Sequence, residues 1–229
     1  MTDFSIKNTI RCYSVFYYCF SLKEMVEYPK EGCNMYLVRS INEKEKEYIT
    51  ITDYCNTGND YKPKVVFNLT YSDLGFHIHF DVYESNPRAT YTENFSPVCR
   101  DSCVEWFIKF DPAICDRYFN FEVNPNGAMD LSFRLSRSEY IDTTNEDIKS
   151  LNIVTNVKDG IWTVDYVVPF DFIKKYIKGY EFKTGTVMKA NVYKCGDDTE
   201  FEHYGCWGMV DRDAPDFHTP QYFKEMKIV

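Results

Sequence analysis

Between Asp101 and Asn124 two short runs alternate so regularly that each residue can be assigned to a face. Successive side chains of a strand point to opposite sides. In Asp101-Ser102-Cys103-Val104-Glu105-Trp106-Phe107-Ile108-Lys109-Phe110, Val104, Trp106 and Ile108 share one side, and Asp101, Cys103 and Glu105 the other. In Tyr118-Phe119-Asn120-Phe121-Glu122-Val123-Asn124, the residues Phe119, Phe121 and Val123 oppose Asn120, Glu122 and Asn124. One side is a core surface. The other carries carboxylates and amides and is expected to be an open, polar recognition face.

The same period recurs downstream. Val65–Thr70 leads through a turn at Ser72-Asp73-Leu74-Gly75 into Phe76–Tyr83, where Phe76, Ile78, Phe80 and Val82 point inward and His77, His79, Asp81 and Tyr83 outward. Asn124-Pro125-Asn126-Gly127 reads as a turn feeding a strand over Met129–Leu135. Residues 136–150 are polar, with a short helix capped by Thr144 or Asn145. Asp159-Gly160 is a hairpin turn between Leu151–Val157 and Ile161–Val168; Phe170–Ile177 reads as two helical turns closed by Gly179. Further strands are expected at Tyr48–Thr52, Val187–Cys195 and Phe223–Val229. Residues 1–60 are otherwise hard to assign, apart from a short helix expected over Ser21–Tyr28. Many short strands, Gly/Pro turns and little helix predict an all-β fold, an antiparallel β-sandwich of the jelly-roll or immunoglobulin-like kind with one or two short helices, in a single domain over 1–229.

Composition agrees. Apolar residues make up 44% of the 229, enough for a substantial core, and Tyr (19) with Phe (18) outnumber Gly (10), a bias towards strands. A formal charge of −9 with no basic stripe argues against nucleic acid. No run approaches the ~20 apolar residues that span a bilayer, so no membrane partner is expected. The stretch Ile10–Phe20 is broken by Arg11 and lacks the pattern of a signal peptide; a cytoplasmic location is expected, or a secreted or periplasmic one if a leader has been removed. Nine cysteines, an odd number with no Cys-x-x-Cys pair, read as reduced thiols. Cys99 and Cys103, placed on one strand face about 13 Å apart at ~3.3 Å per residue, are too distant to bridge.

The motifs Asp101–Phe107, Tyr118–Asn124 with Gly127, Ala190-Asn191-Val192-Tyr193-Lys194-Cys195-Gly196-Asp197, and Pro215-Asp216-Phe217-His218-Thr219-Pro220-Gln221-Tyr222-Phe223 resemble, in this order, the family 9 carbohydrate-binding modules within the wider DOMON-type sandwiches. The resemblance runs from about residue 60 to the C-terminus. It implies a β-sandwich without a catalytic centre, often with structural calcium, that recognises plant or microbial glycans. It also implies where sugar would sit. The motif Glu is retained as Glu105, one aromatic wall aligns with Phe217, the opposite Trp wall falls at Cys99, and a sugar-binding Arg falls at Glu122. The resulting ligand set is Glu105, Glu122, Asn120, Arg134, Asn191, Trp207 and Phe217, with Tyr91, Phe95 and Tyr204 as alternative stacking platforms.

Other chemistries compete with this one. Two carboxylates on adjacent strands could serve glycoside hydrolysis, which also needs one held protonated by burial. His77-x-His79-x-Asp81 has a spacing compatible with a transition metal. Asp211, Asp213 and Asp216, or Asp197-Asp198, offer the hard oxygens calcium prefers. Cys99 as a nucleophile would need His203 or His218 nearby. A protein-interaction scaffold that kept the sandwich and lost sugar binding is the remaining alternative.

Overall fold

The computed structural model describes residues 35–211 and 215–229. The helix expected at Ser21–Tyr28 and the segment Ile10–Phe20 lie outside them. Among the described residues fourteen strands are present: β1 Met35–Ser40, β2 Ile49–Thr50, β3 Asp53–Tyr54, β4 Lys64–Tyr71, β5 Gly75–Tyr83, β6 Cys103–Lys109, β7 Tyr118–Val123, β8 Met129–Arg134, β9 Tyr140–Asp142, β10 Val154–Lys158, β11 Ile161–Pro169, β12 Val187–Gly196, β13 His203–Cys206 and β14 Lys224–Ile228. The same residues hold two short helices, α1 Asn145–Ser150 and α2 Phe170–Tyr176, and two 3-10 turns at Val98–Arg100 and Pro220–Tyr222.

The strands form two layers. One runs β1-β14-β12-β6-β7-β8-β9, with β13 and then β3 branching from β12; the other runs β10-β11-β5-β4-β1, with β2 on β4. Every ladder among the described residues is antiparallel except those of β1. That strand pairs parallel with β14 through Met35–Val38, then parallel with β4 through Arg39 and Ser40. It therefore crosses from one layer to the other, and the sandwich is joined along that side. The expected all-β sandwich is present; β1, β3, β9 and β13 are strands that the sequence reading did not assign.

Between the layers lies an apolar core. Val104, Trp106 and Ile108 of β6, Phe119, Phe121 and Val123 of β7, and Phe67, Phe80 and Trp162 of the facing layer are all buried there. Trp106 stacks on Phe121 at 5.4 Å between ring centroids, and Phe67 meets Trp106 at 6.2 Å. Thr144 caps α1 as expected: its hydroxyl accepts from the Asp147 amide while the Asp147 carboxylate accepts from the Thr144 amide. At the Asn124–Gly127 turn Gly127 takes φ +78°, where a side chain is disfavoured.

One edge of the core is polar. The Lys194 ammonium of β12, fully buried, sits 3.5 Å from Glu84 and donates to the Cys195 carbonyl at 2.8 Å. It also lies 2.7 Å from Nε2 of His203. Lysine can only donate, so Nε2 accepts and Nδ1 carries the proton that bonds the Phe201 carbonyl at 2.7 Å. Burial, then the Lys194 charge, lowers His203 to about 4, consistent with that neutral ring. Glu84 in turn accepts from Trp162 and Ser102, at 3.0 Å each, so one network ties both layers. Lys194→Met should cost about 3–5 kcal/mol by leaving the Glu84 charge buried without its cation. Urea unfolding measures this, and adding Glu84→Gln should recover part of the loss.

Candidate functional site

The face expected to be open is not. Glu105 is 3% exposed, Glu122 6%, and Asn120 and Asn191 are completely buried. The reason lies in the residues sharing that face. Cys103 and Phe107 flank Glu105 along β6, Tyr118 precedes Asn120 on β7, and Tyr193 and Cys195 follow Asn191 on β12. With Val98, Phe217 and Phe223 they form a second buried cluster outside the layer. Phe107, Tyr118 and Tyr193 at even spacing from the polar residues were the sequence signal of this cover. The segment Pro215–Phe223 and the 3-10 turn Val98–Arg100 provide it. Cys99 consequently sits in that turn and not on β6, which begins at Cys103.

The cover leaves one recess of about 230 Å³, lined by Cys99, Glu105, Glu122, Arg137, Cys195, Asp197, Tyr204, Pro215, Phe217 and His218. Residues far apart in sequence thus converge on one place. Glu105 is directly opposite Glu122 in the β6–β7 ladder. Cys195 donates its thiol hydrogen to Glu105 at 2.9 Å, and Asn120 donates to Glu122 at 2.9 Å. Phe217 lies flat on Tyr193, with ring centroids 4.1 Å apart, and meets Tyr204 edge-on at 6.3 Å. Arg137, which the sequence reading did not single out, brings a guanidinium held by Asp216 at 2.7 Å. Its position just past β8 was the available signal.

Other expected ligands fall elsewhere. Asn120 is spent inside the layer: its carbonyl oxygen accepts from Ser132 and from Nε of Arg134 at 3.0 Å. Arg134 stacks over Tyr140 and lines a neighbouring groove with Phe95, Asp130 and Asp142. Asn191 is consumed by Gly208, donating to its carbonyl and accepting from its amide. Trp207 packs edge-on against Tyr36 with Lys224 over its ring. Tyr91 packs against the second cluster without lining the recess.

The metal expectations separate in the same way. His79 lies between Asp165 at 2.7 Å and Asp81 at 3.3 Å, while His77 meets the Ser72 hydroxyl at 2.7 Å, so the two rings do not converge. Burial alone would lower His79, but the hydrogen bonds and charges of Asp165 and Asp81 outweigh it and raise it to about 10. Asp213 lies outside the described residues. Asp216 is taken by Arg137 and the His218 amide, and Asp198 by Arg100. Asp211 contributes its carbonyl to Tyr222. Among the described residues, none of these carboxylates belongs to a group of three close metal-ligating side chains.

Electrostatics decides what the carboxyl pair can do. Burial, then the Glu122 charge, pushes Glu105 well above the usual carboxylate range; burial, then Asp130, raises Glu122 to about 8. Hydrolysis of a glycoside needs one carboxyl ionised and one protonated. Here burial drives both upward together, so the pair is not divided into the one ionised and one protonated carboxyl that hydrolysis requires. Burial, then Glu105 and Glu122, also raises the Cys99 thiol, the wrong direction for a nucleophile. His218 beside it in the recess is lowered to about 3 by burial, then by Arg134 and Arg137. His203 is committed to Lys194.

The sequence pattern of carbohydrate-binding family 9 matches residues 37–228. The chain belongs to carbohydrate-binding family 9. It is a non-catalytic module of that family, in line with the carboxyl pair just described. Among solved structures, a candidate carbohydrate-binding protein from Bacteroides uniformis is similar at a TM-score of 0.73 and 22% identity, over 85% of this chain and 97% of that one. A family 9 module from Caldicellulosiruptor kristjanssonii in complex with cellotriose is similar at 0.59 and 14%, over 85% and 93%. One from the same organism in complex with glucose is similar at 0.57 and 13%, over 84% and 95%. At these identities the likeness establishes the fold. No curated protein matches the sequence.

Glu122 titrates in the physiological range, which gives a signed expectation. Its folded value, about 8, exceeds its ordinary 4.5, so the folded chain holds the proton more tightly. This contribution is full below about 4.5 and is lost as pH rises through about 8. Glu122→Gln, which has no such proton to lose, should flatten the decline in the urea midpoint between those limits when both proteins are compared in EDTA.

Proposed function

We propose that the recess beneath Phe217 binds one sugar ring, the end of a glucose-type oligosaccharide. The convergence of Glu105, Glu122, Arg137, Tyr204 and Phe217 from five separate parts of the chain carries the reading. Family membership supports the ligand class. The cellotriose and glucose held by the two Caldicellulosiruptor modules support a glucose-type ring. Size argues for a single ring, since about 230 Å³ falls below the ~300–1,000 Å³ of sites that enclose larger ligands.

The chemistry suits hydroxyl groups. A protonated carboxyl both donates and accepts, so Glu105 and Glu122 can bond sugar hydroxyls without placing two like charges side by side. Arg137 adds donors, and Asp197 an acceptor at the rim. Phe217, braced by Tyr193, and Tyr204 supply the apolar surface on which the C–H face of a pyranose rests. Cys99 contributes a small wall where the family pattern places an indole, which widens the recess and reduces the stacking area.

Calorimetric titration with glucose, cellobiose and cellotriose tests this. Phe217→Ala and Tyr204→Ala should each weaken binding by about 0.5–1.5 kcal/mol, roughly two- to tenfold. Tyr140→Ala, on the exposed strand β9, should leave it unchanged. Absence of heat with all three sugars, or wild-type affinity in both ring variants, would discard the site. In the first case a scaffold role for the sandwich takes its place.

A further inference from the structure

Two thiols and a carboxylate meet at the floor of the recess. Cys103 of β6 is directly opposite Cys195 of β12 in their ladder, and Glu105, two residues along β6, shares their face. One donor atom from each, two sulfurs and a carboxylate oxygen, lie within 4.8 Å of one another. Among the described residues no other three His, Cys, Asp or Glu side chains are so arranged. All three are buried, yet Glu105 and Cys195 line the recess, which gives a cation a path from solvent.

The groups around the three donors are acidic: Glu122 faces Glu105 across the β6–β7 ladder, and Asp197 lines the same recess. The nearby Lys194 ammonium is engaged by Glu84 and His203. The donor set itself discriminates among metals. Calcium and magnesium take oxygen ligands only, whereas thiolate sulfur with a carboxylate suits zinc. Zinc–sulfur bonds of ~2.3 Å and zinc–oxygen bonds of ~2.0–2.2 Å place tetrahedral ligand atoms about 3.5–3.8 Å apart. Closing three atoms from 4.8 Å or less to that spacing is a matter of side-chain rotation, because the ladder already opposes the residues.

We propose that Cys103, Cys195 and Glu105 bind a zinc ion at the floor of the recess, with its fourth position facing the cavity. Uptake deprotonates both thiols and the carboxyl, and the three protons leave to solvent. The fourth position is then filled by water or by a hydroxyl of whatever occupies the recess. The metal site forms without sugar; with zinc bound, Glu105 is a ligand and donates nothing to a sugar, whose hydroxyls then meet Glu122 and Arg137.

The full chain, kept reduced with a phosphine and stripped of metal, is titrated with Zn²⁺ alone and separately with Co²⁺ alone. One Co²⁺ per chain is expected, with a near-ultraviolet thiolate-to-cobalt charge-transfer band. Cys103→Ser and Cys195→Ser should each abolish the band and weaken zinc by at least ~100-fold, the upper range for loss of an outer-shell partner alone. A chain with Cys12, Cys19 and Cys33 changed to serine should keep the band, as should Phe217→Ala, so loss of the sugar site leaves this readout intact. X-ray absorption of the unmodified zinc-loaded chain needs no variant and should find two sulfur neighbours at about 2.3 Å, completed by oxygen. No stoichiometric uptake, a shell without sulfur or with four sulfurs, or a band that survives Cys103→Ser would overturn the assignment.

Discussion

The register between β6 and β7 governs both what holds this molecule together and what it presents to a ligand. Because side chains alternate, setting Trp106 against Phe121 in the core sets Glu105 against Glu122 on the opposite side. No one-residue slip can separate the carboxylates without also turning the two rings out of the core. The ladder to β12 continues the logic, with Val192 beside Trp106 and Tyr193 beside Glu105. A pair of carboxyl groups is thereby fixed in a buried position by interactions made on the other face. The chain accommodates it chemically: burial raises both, and their neighbours are a thiol and an amide able to donate to them.

Closure of that face is what turns a sheet surface into a site. Phe107, Tyr118 and Tyr193 need cover as much as any core residue, and Phe217 and Phe223 supply it from the segment that leads into β14. β14 is clamped between β12 and β1, so this segment is anchored at its C-terminal end within the layer. On the other flank Asp101, fully buried, accepts from the amides of Thr90 and Tyr91 and from Asn124 at 2.7–2.9 Å, and so ties down the loop before the Val98–Arg100 turn. The recess is the gap between these two covers. Its aromatic wall is consequently rigid in the direction that matters, since the Phe217 ring is backed by Tyr193 across its whole face.

Much of this architecture was legible in the residues. The period-two runs identified β4 to β8 and β11 to within a residue or two, because in each of them the core face is continuous and the turns carry Gly, Asn or Asp. β1 was not legible. Its Tyr36 and Val38 are inward, but its pairing is parallel and divided between two layers, which leaves no hairpin turn to announce it. β13 is four residues with no apolar run to mark it: His203 meets Lys194, while Cys206 joins the second buried cluster. At the site, Glu105, Glu122, Cys99, Tyr204 and Phe217 were named in advance and do share one recess. Its cover was missed because Phe107 and Tyr193 were read for the company of their charged neighbours. Asn191 and Trp207 were named from position along the chain, yet contacts to Gly208 and Tyr36 occupy them.

Cys99 stands where the family resemblance implies a large ring, and a small side chain there leaves Glu105 and Cys195 lining the same recess. Affinity in such a site must come more from hydrogen bonds to hydroxyls than from burial of sugar C–H faces, and each such bond competes with water for the same group. The groups that gain most from this trade are those already desolvated, because their partners are lost from water whether or not a ligand is bound. Glu105 and Glu122 are in that condition by virtue of the ladder register alone. The cost of burying them is met in folding, so a hydroxyl-bearing ligand that reaches them finds acceptors and donors whose dehydration has already occurred.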